Sequence, residues 1–174
     1  MKKRSVILLI VLVLAVLVMF FGIKNEESPR QTIANLDAPD FTITDAAGKT
    51  LSLAELKGTV VFINFWATWC PPCKEEMPSI QSLYSRFKDD GGFRMVTILY
   101  KDDYDKAMAY QKENNFGLPV WLDNKEKTAK AYGVTGVPET YIVDKKGILR
   151  QKVIGPADWT SPEAISLISK LLKE

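Results

Sequence analysis

Cys70 and Cys73 are the only cysteines among 174 residues, and the chain has no histidine. Their spacing lets them close a short disulfide, with Cys70 at the exposed end and Cys73 one turn inside, so the chemistry they suggest is thiol–disulfide exchange. The apolar, β-branched run Val60 to Trp66 reads as a buried strand, and the residues from Pro71 onward read as a helix. Cys70 therefore stands at a helix start, where the macrodipole and unsatisfied N–H groups favour a thiolate. It is the expected attacking thiol, and Cys73 is the thiol that resolves the mixed disulfide. Pro71 and Pro72 have no N–H to offer, so the main local donors left for Cys70 are the Cys73 amide and thiol. Modest stabilisation of the thiolate makes the disulfide hard to reduce and the dithiol a reductant.

The bland readings of the pair are a passive disulfide or two metal ligands. So small a loop adds little stability when closed, and two thiolates without histidine leave a zinc site half filled. Lack of histidine also excludes Ser-His and Cys-His catalysis. No metal is expected, and no cofactor beyond the redox-active disulfide itself.

The elements that must hold the pair alternate. Phe41 to Thr44 and Thr50 to Leu53 flank a turn in which Gly48 supplies positive φ, forming a hairpin. Ser52 and Glu55 suggest a capping box for a one-turn helix ending at Gly58. A helix is predicted from Pro72 to Lys88, kinked at Pro78. Phe93 to Tyr100 is a strand, Tyr104 to Glu113 a helix, Val120 to Leu122 a short extended stretch and Lys125 to Tyr132 a further helix. Thr140 to Val143 and Ile148 to Ile154 form a hairpin, and Ser161, Pro162 and Glu163 open a final helix. Strands alternating with helices give an α/β mixed sheet covered on both faces.

The WCPPCK turn, Pro78 and the Gly136-Val137-Pro138 segment resemble the thioredoxin superfamily. Ala38-Pro39-Asp40-Phe41, Leu56-Lys57-Gly58, Asn64 to Cys70 and Gly136 to Thr140 are similar to its membrane-anchored TlpA/ResA/DsbE (CcmG) group. That resemblance runs from about Leu36 to the C-terminus and implies a thioredoxin-like fold with an N-terminal β-hairpin extension. It implies that Pro138 is a cis-proline beside the cysteines which, with Val137, holds a backbone edge open for a substrate strand. It implies that Trp69 forms an apolar rim around the exposed sulfur, while Trp66 packs inward. Glu139 and Thr140 look like a Pro-Glu-Thr that adds acidity to the substrate groove, or are a solvated surface pair. Glu76 lies on the helix face of Cys73 and matches a glutamate that handles protons in ResA-like proteins. Thioredoxins carry a buried aspartate where this chain has Asn64, which cannot ionise, so Glu76 is the candidate acceptor for the Cys73 proton. Glu75 points elsewhere, and Lys74, Trp121 and Trp159 carry no functional claim beyond solvation or packing.

Residues 1–4 are basic and residues 5–23 are apolar apart from Ser5 and Gly22. A helix of that length spans roughly 28 Å, about the hydrocarbon thickness, and no small-residue cleavage site follows. The expectation is an uncleaved single-pass anchor in the cell membrane, with its N-terminus cytoplasmic and the catalytic domain extracytoplasmic. Residues 24–35 are a polar linker and residues 36–174 the thioredoxin-like domain. Without the three residues ahead of the anchor, 20 basic side chains face 21 acidic ones, with no basic tract, so nucleic acid is not a partner.

The function expected is reduction of disulfide-containing protein substrates. By resemblance, these include the haem-attachment site of apocytochrome c in cytochrome c biogenesis, with electrons from a membrane thiol transporter. The alternatives are a thiol peroxidase, a disulfide oxidase, and a non-catalytic Cu(I)-binding or copper-site assembly module. Peroxiredoxins share the Ala-Pro-Asp-Phe segment, but place a threonine three residues before their cysteine, where this chain has Ala67.

Overall fold

The computed structural model describes residues 12–13, 30–31 and 36–174. The membrane span expected at residues 5–23 lies outside the described residues, apart from Leu12 and Val13, which are helical. The basic segment and most of the linker lie outside them too. Among the described residues, no helix is long and apolar enough to cross a membrane.

The sheet is organised around β5, Val60–Trp66, in which all seven residues are buried. A continuous apolar run of this kind suits a strand covered on both faces. Parallel to it lies β6, Phe93–Leu99, and antiparallel on its other side β8, Glu139–Val143. The remaining strands are β1 (Arg30–Gln31), β2 (Leu36–Asp37), β3 (Thr42–Thr44), β4 (Thr50–Ser52), β7 (Val120–Leu122) and β9 (Ile148–Ile154). Their order is β1-β9-β8-β5-β6-β7-β3-β4, with β2 also paired to β9. The hairpin extension is present as β3 and β4, and Gly48 in its turn has φ 82°.

Among the described residues, the sheet is covered by α1 (Pro71–Phe87), α2 (Tyr104–Glu113), α3 (Lys127–Ala131) and α4 (Pro162–Lys173). Side chains alternate along each strand, which splits the core in two. Phe62 and Trp66 of β5 pack with Met77, Ile80 and Leu83 of α1 and Ile168 and Leu171 of α4. Val61, Ile63 and Phe65 face the opposite way, toward Phe41, Tyr132 and Tyr141. Asn64 shares the parity of Phe62 and Trp66, so it points toward α1.

α1 includes Pro78, at an exposed position. Three local details differ from the sequence reading. Ser52 and Glu55 form only half a capping box, because Glu55 Oε2 accepts from both the Ser52 N–H and its hydroxyl. The helix expected at Lys125 to Tyr132 is a one-turn 3-10 segment followed by α3. Lys125 and Glu126 are left-handed there, and the Asp123 carboxylate accepts the Thr128 and Ala129 N–H groups. Within the segment read as linker, Arg30 and Gln31 pair with Val153 and Lys152 of β9, so main-chain hydrogen bonding overrides a composition that signals no structure.

Candidate active site

The end of β5 delivers the chain to a tight turn in which the Cys70 N–H donates to Ala67 O. Cys70 then caps α1 with extended backbone angles, φ −97° and ψ 105°. Pro71 and Pro72 fill the first helical turn, and the Cys73 N–H donates to Cys70 Sγ at 3.2 Å. The two sulfurs are bonded, with Cα atoms 5.3 Å apart. Cys70 is 3% exposed and Cys73 wholly buried, so the sulfur expected to be exposed is nearly covered, and Cys70 is the less enclosed of the two.

Across from the disulfide runs the loop that enters β8. Its Val137-Pro138 peptide is cis, and the Val137 carbonyl oxygen lies 3.4 Å from Cys70 Sγ. Trp69 is 55% exposed beside Cys70, while Trp66 is wholly buried. Glu75 is exposed.

Glu76 is buried one turn beyond Cys73. Burial raises its pKa to about 7, against the pull of three donors that favour the charged form. Asn64 Nδ2 donates to Oε1 at 2.9 Å, and the Ala157 N–H and Trp159 Nε1 donate to Oε2 at 3.2 and 3.4 Å. Asn64 Nδ2 also donates to Thr140 Oγ1 at 2.9 Å, while Asn64 Oδ1 has no hydrogen-bond partner among the described residues. A carboxyl that titrates near neutral pH beside a buried thiol can accept a proton and return it.

Trp159 thus does more than pack. Its ring meets Phe62 edge-on at 4.7 Å, and its N–H reaches the carboxylate. Trp159 and Ala157 lie about eighty residues from Glu76 in sequence, and no spacing rule links them. The place of Asn64 is readable from strand parity, and its partnership with Glu76 follows once α1 is laid over that face.

Glu139 and Thr140 are neither a solvated pair nor groove-facing neighbours, since both are 1% exposed. Strand parity sends them to opposite faces. Thr140 turns toward Asn64, whereas Glu139 turns to the far side with Tyr141. There Glu139 Oε1 accepts from the Thr135 N–H at 2.9 Å, the Thr135 hydroxyl at 3.2 Å and the Gly136 N–H at 3.4 Å. Oε2 accepts from Tyr141 OH at 2.7 Å and pairs with Lys152 Nζ at 2.9 Å. Burial would raise its pKa, but the backbone donor, Tyr141 and Lys152 outweigh it and hold the carboxyl below its ordinary value. Glu139 fastens the cis-proline loop from beneath. Among the described residues, no group of three His, Cys, Asp or Glu side chains converges as metal ligands.

Residues 34–152 match the AhpC/TSA family. The chain belongs to that family. Among its relatives are proteins named thiol-disulfide oxidoreductase ResA. That of Bacillus thuringiensis is 39% identical over 122 residues, 68% of each chain. That of Geobacillus thermodenitrificans is 32% identical over 155 residues, 87% of this chain and 86% of the relative. Of the solved structures, one described as a putative thiol:disulfide interchange protein DsbE from Chlorobium tepidum superposes with a TM-score of 0.70. It has 26% identity and covers 82% of this chain and 99% of its own. StoA from Bacillus subtilis gives 0.61 at 27% identity, covering 80% of this chain and 100% of its own. The fold is thioredoxin-like, and this AhpC/TSA member is a thiol–disulfide oxidoreductase carrying a Cys70–Cys73 disulfide.

Proposed function

We propose that the protein is a reductase of protein disulfides, tethered to the cell membrane by residues 5–23 with its catalytic domain on the extracytoplasmic side. The observation that carries the direction is the start of α1. Two consecutive prolines leave the Cys73 N–H, at 3.2 Å, as the backbone group of that turn that donates to Cys70 Sγ. A thiolate with so few donors gains little from ionisation, and the reduced pair is the better electron donor.

In the forward reaction, Cys70 Sγ attacks one sulfur of the substrate disulfide, and the other substrate sulfur leaves as a thiolate. Glu76 takes the Cys73 proton. The Cys73 thiolate attacks Cys70 Sγ, closing the Cys70–Cys73 disulfide and releasing the second substrate thiolate. The substrate gains two electrons, and the enzyme loses two. Trp69, Val137 and Pro138 frame the approach to Cys70, and Thr140 steadies Glu76 through Asn64. The substrate proposed is the oxidised haem-attachment site of apocytochrome c, with a membrane thiol transporter restoring the dithiol. Against a peroxidase stands the buried, apolar Ala67 at the place where peroxide chemistry would have its threonine hydroxyl.

The test is the reduction potential of the Cys70–Cys73 couple in the purified chain, equilibrated against thiol buffers of defined composition. Thioredoxin lies at about −270 mV and the oxidant DsbA at about −120 mV. A value at or below the first supports the reductase. A value near the second makes the protein an oxidase.

A further inference from the structure

Beyond β6 the chain turns through Lys101, whose φ of 51° is left-handed for a residue with a side chain. Such a conformation persists where its surroundings hold it, and it clusters at functional sites. Lys101 Nζ lies 3.4 Å from Glu126 Oε2 and 4.9 Å over the Tyr100 ring. Lys125 and Glu126 are left-handed as well. So three of the four left-handed non-glycine residues among those described line one crevice of about 230 Å³, formed between Tyr100–Asp102 and Leu122–Glu126.

The turn at Lys101 aims two acceptors at the residues ahead of Cys70. The Lys101 carbonyl accepts from Trp69 Nε1 at 3.1 Å. Asp102 Oδ2 accepts from the Thr68 N–H, and Oδ1 accepts from the Asp103 N–H at 2.8 Å. Burial acts to raise the Asp102 pKa, but hydrogen bonds from Thr68 and Asp103 and the nearby Lys106 charge bring it below its ordinary value. Asp102 is therefore an anionic acceptor at neutral pH, and bonds to charged acceptors are the stronger kind. Two consecutive residues thus grip Thr68 and Trp69, the two that lead into the attacking cysteine. An indole as exposed as Trp69 would otherwise move between rotamers. Held by its N–H, it presents one face beside Cys70.

We propose that Lys101 and Asp102 form a positioning clamp for the Trp69 rim, and that this clamp governs how protein disulfides, rather than small ones, engage Cys70. This rests on the reading of the site as a protein-disulfide reductase. Neither residue touches the sulfurs, so both act through Thr68 and Trp69.

The experiment compares the full chain with its Asp102→Ala and Asp102→Asn variants on insulin and on the small aromatic disulfide dithiobisnitrobenzoate. Alanine is expected to raise KM for insulin about tenfold, or ~1.4 kcal/mol of binding. The insulin kcat, the rate with the small disulfide and the reduction potential should stay unchanged. Asparagine, which keeps an oxygen acceptor, should recover most of the loss. The indole N–H resonance of Trp69, assigned with Trp69→Phe, should move in the alanine variant and return in the asparagine one. Equal losses on both substrates, or a changed potential, would overturn the clamp, because Asp102 would then act on the thiol pair or the fold as a whole. An unchanged KM with an unmoved indole resonance would overturn it too. Should the alanine variant not fold, Asp102→Leu keeps the size of the side chain while removing its acceptors, and carries the same expectations. If the parent reduces the small disulfide but not insulin, the protein-reductase reading fails, and the Trp69 resonance still decides the clamp.

Discussion

Replacing Glu76 with glutamine gives a sharp test of the buried proton acceptor. A carboxyl whose pKa is about 7 in the folded chain rather than 4.5 prefers its neutral form there. Between those two values the folded chain keeps a proton that the unfolded chain has released, so the carboxyl's effect on stability worsens as pH rises through the window and levels off above it. The full difference is ~3 kcal/mol. Glutamine cannot ionise and should remove this dependence. Its carbonyl takes the Ala157 and Trp159 donors, and its NH₂ faces Asn64, whose Oδ1 has no partner among the described residues and becomes an acceptor when the amide turns over. The substitution is therefore close to neutral at pH 5, and by pH 8 the variant should exceed the parent by about 3 kcal/mol. Urea unfolding of the oxidised proteins at pH 5, 6, 7 and 8 measures this directly. Turnover should move the other way, because Cys73 loses its proton acceptor; general bases contribute roughly 10²–10⁴-fold. Parallel stability profiles for parent and variant, or equal turnover, would refute the argument.

Other substitutions probe the neighbouring features. Pro72→Gly returns an N–H to the first turn of α1; a hydrogen bond to a charged group is worth about 1.5–3 kcal/mol, so thiol-buffer titration should find the potential some 30–60 mV more oxidising. Trp159→Phe keeps the ring against Phe62 but removes a donor from Glu76, and should shift the corresponding limb of the pH–rate profile upward. Glu139→Gln strands the Lys152 ammonium and loosens the grip on Thr135 and Gly136, at a cost of about 3–5 kcal/mol in urea unfolding.

How legible each part was depended on how local its cause is. The run Val60 to Trp66, the serine and proline that open α4 and the glycine of the β3–β4 turn act through their own neighbours, and the predicted elements appear within a residue or two. Chemistry packed into a few adjacent residues, such as Cys70-Pro71-Pro72-Cys73, is equally plain. The hydrogen-bond shell of Glu76 is different, since its donors come from β5, from Ala157 and from Trp159 and meet only when α1 lies on the sheet. Glu139 and Thr140 depart from the expectation for a simpler reason. They are adjacent in sequence, but in a strand adjacency means opposite faces. The composition of Lys125 and Glu126 suits a helix, but the reach of the Asp123 carboxylate to Thr128 and Ala129 outweighs that propensity.

The borders of the sheet bear on what this protein must handle. Unpaired strand edges recruit other chains, and an enzyme that works on protein disulfides meets partly unfolded, strand-forming polypeptides at every turnover. The outer side of β9 is occupied by Arg30–Gln31 and Leu36–Asp37, and the opposite border is the three-residue β4. Neither border offers a long bare ladder on which a client could stick or seed aggregation. On the proposed reading, extended clients dock at the cis-proline loop beside Cys70, and the economy of edges among the described strands leaves them few competing places to pair.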